Sequence, residues 1–230
     1  MTANTLNTSA PSHTFKIGIT GTIGSGKSLV GRILTAQNIP VLDVDNVVHV
    51  LLDRDLTVQS EIRHRFGEEF LIANPDGGMR VDRAKLGKLV FQNETDRRDL
   101  EKIVHPAVLS FTEQWIHDQH SPIAAVLIPL LFESGRPRNF SQVWSVICND
   151  STLRQRLKLR SNLSDSDVDK RLAAQLSQDE KAALADCVID NSGTIEETQT
   201  QILSLLGEIQ QSVGMQPSEP RTLVSQPATE

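Results

Sequence analysis

The chain of 230 residues is 38% hydrophobic and 23% charged, which suits a globular protein with one buried α/β core and room for a small lobe. Its net charge of -6 and pI near 5.5 argue against wholesale binding to a nucleic-acid backbone, so an anionic substrate must meet a local cationic cluster. No apolar run approaches the ~20 residues of a membrane span, Met1 to His13 lacks the regions of a secretory signal, and the two cysteines, Cys148 and Cys187, lie in apolar runs, so a reducing cytoplasm without disulfides is expected.

Residues 1–14 are rich in Thr, Asn and Ser and read as a disordered leader. Phe15 then opens a short apolar run through Ile17 and Ile19, a buried strand by its composition. It breaks into Gly21-Thr22-Ile23-Gly24-Ser25-Gly26-Lys27-Ser28, which fits G-x-x-x-x-G-K-[ST], and a helical pattern follows from Leu29 to Gln37. Glycines let successive N–H groups turn inward around an anion, and the helix adds the positive end of its dipole. Lys27 is placed to reach the β- and γ-phosphates of a nucleotide, and the Ser28 hydroxyl to hold Mg²⁺.

Ile39 to Asp43 is a second strand ending in acid, and Asp45 begins a helix with Val47, Val48, Leu51 and Leu52 on one face. Read alone, Asp43 ends the strand and Asp45 caps the helix. One βα unit after a phosphate loop, the pair instead suits chemistry: one carboxylate accepting a proton from an attacking hydroxyl, the other ordering Mg²⁺ or its waters.

From Leu56 to about residue 120 the pattern predicts helices only: Leu56–Phe70, one capped by Asp82, one from about Thr95 to Val104, and one after the His105-Pro106 step to about His117. Asn74 to Gly78 reads as a turn within this all-helical insertion. Ile123 to Pro129 is a continuous apolar strand leading to Glu133, which could touch substrate or a metal-bound water. Gln142 to Cys148 is a fourth strand.

Thr152 to Arg160 then brings Arg154, Arg156, Lys158 and Arg160 into nine residues of an otherwise acidic chain. A polar break follows, and Ser164 caps a helix from about Asp165 to Leu176; together residues 151–176 suit a lid over a polyphosphate. Ser177 with Glu180 forms a capping box, Cys187 to Asp190 a fifth strand, and Thr194 with Glu197 a second box opening the last helix. Residues 212–230, rich in Pro, Ser, Gln and Glu, read as a disordered tail.

The loop admits a small-molecule kinase, a GTP switch or a non-catalytic nucleotide-binding scaffold. The Asn-Lys-x-Asp element of a guanine reader does not occur, and the D-x-x-G match at Asp190 to Gly193 falls after the fifth strand, away from any γ-phosphate. Lys27, Ser28 and the paired aspartates weigh against a scaffold.

With these residues in view, the chain resembles the dephospho-CoA kinase family over about Ile17 to Leu206. The resemblance is carried by IGITGTIGSGKS, the VLDVD pair, VDRAKLGKLVF, the VHP step, IPLLFE, the lid with Arg160, and RLAAQLSQDEKAALADCVIDNSG. It implies an α/β, P-loop NTPase-type three-layer sandwich: a five-stranded parallel sheet in a domain of residues 15–211, with a helical substrate-binding insertion at 55–120 and the helical lid. It also implies ATP as donor, Mg²⁺ as cofactor and the ribose 3'-hydroxyl of dephospho-CoA as acceptor, with no nucleic-acid or membrane partner. Under it, Asp45 is the general base, Asp43 a metal-water or orienting partner, and Arg160 the lid arginine acting with Lys27. Gly24, Ser25, Gly26, Lys27, Ser28 and Leu29 wrap the ATP phosphates, Asn191 lies near the adenine, and His49, His105 and Glu133 face the acceptor. The chain departs from the family pattern at Thr22 (often Gly), Leu29 (often a hydroxyl residue), His49 (often Arg) and Ser161-Asn162 (often acidic).

Overall fold

The computed structural model describes residues 14–135, 137–161 and 164–214, with the side chains of residues 137, 160 and 161 outside the description. The predicted leader before Thr14 and the tail beyond Gly214 lie outside the described residues. In chain order the elements are β1 (Phe15–Thr20), α1 (Lys27–Ala36), β2 (Val41–Asp43), α2 (Val44–Arg54), α3 (Leu56–Phe66), β3 (Leu71–Ala73), β4 (Met79–Val81), α4 (Arg83–Gln92) and α5 (Glu94–Asp118). There follow β5 (Ile123–Leu127), β6 (Gln142–Ile147), α6 (Asp150–Ser161), α7 (Asp165–Ala173), α8 (Gln178–Leu184), β7 (Cys187–Asp190) and α9 (Ile195–Ser212). They form two compact units, one built from the described residues up to Val41 and from Gln119 onward, the other from Leu42–Asp118.

The main sheet has the order β2-β5-β1-β6-β7, and all its strands but β2, within which the chain leaves the first unit, belong to that unit. β1 pairs in parallel with β5 (Ile17 opposite Ala125) and with β6 (Ile19 opposite Trp144), and β6 pairs in parallel with β7. Every residue of β5 is buried, as its unbroken apolar run requires of a central strand covered on both faces. Ile17, Ile19, Ile33, Leu34, Trp144, Ile189, Ile202 and Leu206 close the core, where α1 and α9 pack. Each such aliphatic side chain contributes about 1.5–3 kcal/mol by leaving water. The crossing from strand to helix between β1 and α1 places the Gly-rich turn at the C-terminal end of a central strand, where open α/β sheets bind ligands.

The second unit has its own core of Val47, Leu51, Leu52, Val58, Ile62, Phe70, Val81, Leu86, Val104 and Val108. It differs from the sequence expectation in two ways. It is not all-helical: β3 and β4 pair antiparallel around the Asn74 to Gly78 turn, with Leu71 opposite Val81. Strands of three residues, LIA and MRV, are too short to carry an alternating signal. Nor does the chain break at Pro106, because α5 runs unbroken through it. Val104, Val108, Thr112 and Ile116 keep one buried stripe across the proline, and that packing outweighs the lost backbone hydrogen bond. Arg65 of α3 grips α5 through Asp96 at 2.6 Å and Asp99 at 2.8 Å.

Candidate active site

The turn after β1 is shaped by glycines in left-handed conformations that side chains rarely adopt: Gly24 has φ +87° and Gly26 φ +105°. Both are also crowded. A Cβ on Gly24 would meet Leu157 Cγ at 3.2 Å and Leu153 Cδ1 at 3.3 Å, and one on Gly26 would overlap Asn191 Nδ2. Gly26 is the N-cap of α1 and brings no side-chain acceptor to the first turn, which leaves that positive helix end suited to an anion. Lys27 Nζ folds over the turn, donating to the carbonyls of Gly21 at 2.7 Å and Thr22 at 3.1 Å. Ser28 is exposed on the first turn of α1. A curled backbone, a helix N-terminus and one ammonium together fit a polyphosphate, and the Ser28 hydroxyl fits a hard cation bound to it.

Two of the departures acquire a physical reading here. Thr22 is buried, and its carbonyl accepts from both Lys27 Nζ and Ser25 N. Leu29 packs against the main core, so apolar contact stands where a hydroxyl would have pointed.

Asn191 sits just past β7 and is buried. Its Nδ2 donates to Ser25 O at 2.8 Å and its Oδ1 accepts from Thr198 Oγ1 at 3.2 Å. The amide therefore braces the phosphate loop from behind. Asp190, head of the D-x-x-G match, accepts from Ser192 N at 2.9 Å and from the Ser192 hydroxyl, which makes that match a turn into α9.

The cationic cluster on α6 divides by face. Arg154 pairs with Asp169 at 2.8 Å and Lys158 with Asp165 at 2.6 Å, tying α6 to α7. The Lys158 ammonium holds the Asp165 carboxyl below its usual range, and Asp169 raises Arg154 further. Arg156 turns instead to the phosphate loop, with Nη1 3.4 Å from Ser25 O and 3.5 Å from Gly24 O, and Nη2 3.5 Å from Asn191 O. Leu153, Leu157 and Val168 form a small core with Ile23 of the loop. The Arg160 side chain lies outside the described residues, as do Asn162 and Leu163. Arg156 was not singled out from the sequence; its place beside Leu153 and Leu157 on the helical wheel was the available signal.

Asp43 is the N-cap of α2, its carboxylate accepting from Asp45 N at 3.0 Å. Asp45 and His49 are exposed on α2, and His105 is half-buried on α5. These four belong to the second unit, whereas the loop, Asn191, α6 and Glu133 belong to the first. Among the described residues no group of three or more His, Cys, Asp and Glu side chains gathers as a metal cage. Glu133, read from the sequence as a substrate or metal-water contact, spends Oε1 on Leu176 N at 3.0 Å and Lys181 Nζ at 2.8 Å.

Comparison with known proteins decides between the readings that a phosphate loop leaves open. The family model described as dephospho-CoA kinase matches residues 15–197. The chain belongs to the dephospho-CoA kinase family. It is 40% identical over 189 residues to the dephospho-CoA kinase of Symbiobacterium thermophilum, covering 81% of this chain and 77% of that one. It is 38% identical over 196 residues to that of Shouchella clausii, covering 84% and 98%. Among solved structures, a Thermus thermophilus protein superposes with a TM-score of 0.72 at 31% identity, and the dephospho-CoA kinase of Campylobacter jejuni with 0.64 at 26%. Each superposition covers 86% of this chain and 98% of the other. The family's kinase character fits the loop.

Proposed function

We propose that this protein transfers the γ-phosphate of ATP to the ribose 3'-hydroxyl of dephospho-CoA, giving coenzyme A. The observation that carries the phosphate chemistry is the glycine-built turn with Lys27 folded over it at the N-terminus of α1. Family membership carries the choice of acceptor. Gly24, Ser25, Gly26, Lys27, Ser28 and Leu29 hold the donor's phosphates through backbone N–H groups and the Lys27 ammonium. Ser28 would hold Mg²⁺ and Asp43 would order its waters, and the ion would supply neutralisation of phosphate charge. Asp45 receives the acceptor's hydroxyl proton, late in a loose transition state that asks little base strength. Asp43 keeps Asp45 at the start of α2 by capping that helix. Residues 151–176 act as a lid that excludes water, so that hydrolysis does not compete with transfer. Arg160 supplies cationic charge from the lid, and Arg156 from the loop's own flank. His49 and His105 serve the acceptor. No helix among the described residues is long and apolar enough to cross a membrane.

The test is ADP release from Mg-ATP with dephospho-CoA, beside adenosine, uridine and gluconate. Turnover with dephospho-CoA alone, with the product phosphorylated at the 3' position by ³¹P NMR, is the expected result. Turnover with another acceptor alone would discard the acceptor assignment while keeping the kinase. ATP binding without turnover would replace the enzyme with a scaffold.

A further inference from the structure

A path of hydrogen bonds and one chain step runs from the residue before the phosphate loop back into the loop, through side chains given no individual part in the proposed transfer. Thr20, the last residue of β1, donates from Oγ1 to Pro129 O at 3.1 Å. The same carbonyl accepts from Lys181 Nζ at 2.7 Å, and Lys181 is 0% exposed. Its second partner is Glu133 Oε1 at 2.8 Å, which also accepts from Leu176 N at 3.0 Å. Beside it in the chain, Gln175 accepts from Ile23 N, inside the loop, at 3.1 Å through Oε1, and donates back through Nε2 to Arg171 O at 3.3 Å.

An ammonium taken wholly out of water is costly and persists only where partners satisfy it. Here those partners, Pro129 O and Glu133, follow β5, and Glu133 in turn holds Leu176 N where the chain passes from α7 to α8, at the exit of the lid segment. Two neighbouring residues there have different partners: Leu176 is pinned through its backbone N to Glu133, and Gln175 through its side chain to the loop. Ile23 further packs with Val168 and Leu172 of α7 in the small core around Leu153 and Leu157. The Ile23 end of the loop is therefore held from the lid side, while its Gly26 end is held by Asn191.

We propose that Gln175 is a positioning residue for ATP, anchored by the Glu133–Lys181 pair, that fixes the Ile23 half of the phosphate loop and makes loop and lid exit move as one. This rests on the reading of the loop as the ATP site. A loop released at Ile23 must be ordered when the nucleotide arrives, so the loss falls on ATP affinity rather than on the transfer step.

The deciding variant is Gln175→Leu, similar in size at a half-buried position, assayed by calorimetry with a non-hydrolysable ATP analogue and Mg²⁺, by steady-state kinetics, and by thermal unfolding. The dissociation constant and the ATP KM rise about tenfold, the size of one hydrogen bond. Saturated turnover, acceptor KM and melting temperature stay near wild type. In Lys181→Met/Glu133→Leu an apolar pair replaces the buried ion pair, a change that stability commonly tolerates, and the ATP constants weaken in the same direction. Wild-type analogue affinity in Gln175→Leu overturns the proposal. So does a loss spread equally over ATP, acceptor and melting temperature, which is what a merely structural residue would show. If the double variant does not fold, Gln175→Leu decides alone. The analogue binds without acceptor, so failure of the wild type to phosphorylate dephospho-CoA would defeat the function reading and leave this measurement intact.

Discussion

Asn191 Nδ2 donates to the carbonyl of Ser25 at 2.8 Å, joining the turn after β7 to the phosphate loop across 166 residues of chain. Its Oδ1 accepts from Thr198 on α9, so one buried amide ties loop, sheet edge and last helix together. Asn191→Leu keeps the volume and removes both bonds. It is expected to cost about 1–3 kcal/mol, since the partners left behind are buried. A fall in melting temperature of about 2–4 °C per kcal/mol follows for a chain of this size, with weaker ATP binding by calorimetry. An unchanged melting temperature would show that the amide does not brace the loop.

Gly26→Ala meets two obstacles: φ is +105°, and the new Cβ would overlap Asn191 Nδ2. ATP binding should be lost even where the protein still folds. Gly77→Ala is the control, because φ is +99° there but nothing lies within 4 Å of the added carbon. It should cost only the backbone strain, about 1–2 kcal/mol, and leave ATP affinity at the wild-type value.

Lys27→Ala removes the ammonium that bridges the carbonyls of Gly21 and Thr22. Both ATP affinity and turnover should fall, by about a hundredfold or more in kcat/KM. A fully active Lys27→Ala enzyme would end the phosphate-loop assignment.

Asp45→Asn should lower turnover by roughly two to four orders of magnitude while ATP affinity barely changes. Asp43→Ala acts differently, because it also removes the cap of α2, at about 1 kcal/mol. It should lower both melting temperature and rate. Near wild-type turnover in Asp45→Asn would move the general base elsewhere.

Thiol titration gives a pH prediction. Burial pushes the Cys148 and Cys187 thiols up from the ordinary thiol range, with Arg156 partly opposing the shift at Cys148. Folding thus disfavours each thiolate. That contribution to stability is fully present below the unfolded-state value and is lost as pH rises through the folded values. Stability should decline above about pH 9, and a Cys148→Ala/Cys187→Ala variant should decline less. At neutral pH a thiol reagent should modify half-buried Cys187 before buried Cys148.

Where the governing interactions are short in sequence, the chain could be read directly. The boxes at Ser177/Glu180 and Thr194/Glu197 and the caps at Asp82 and Ser164 form as their residue types require. Phosphate loop, acid pair and the strands of the main sheet were equally legible, since a buried parallel strand and a strand–Gly turn–helix step are local patterns. The β3–β4 hairpin was not, because three-residue strands take their identity from pairing rather than composition. The unbroken α5 was not, because the proline's local preference lost to a buried stripe on both sides of it.

By itself the sequence determined that a phosphate loop closes β1, that two aspartates begin α2, and that cations gather on α6, since each depends on residues within about one turn or strand of one another. Only the tertiary structure decided what those side chains face. It sent Arg154 and Lys158 to the aspartates of α7 and Arg156 to the loop 132 residues away. It drew Glu133 to a buried Lys181, and it set Gln175 on Ile23 across 152 residues. A charged or amide side chain carries no address in its own neighbourhood; which partner it finds depends on how the sheet order brings distant segments together, and that is a property of the folded chain alone.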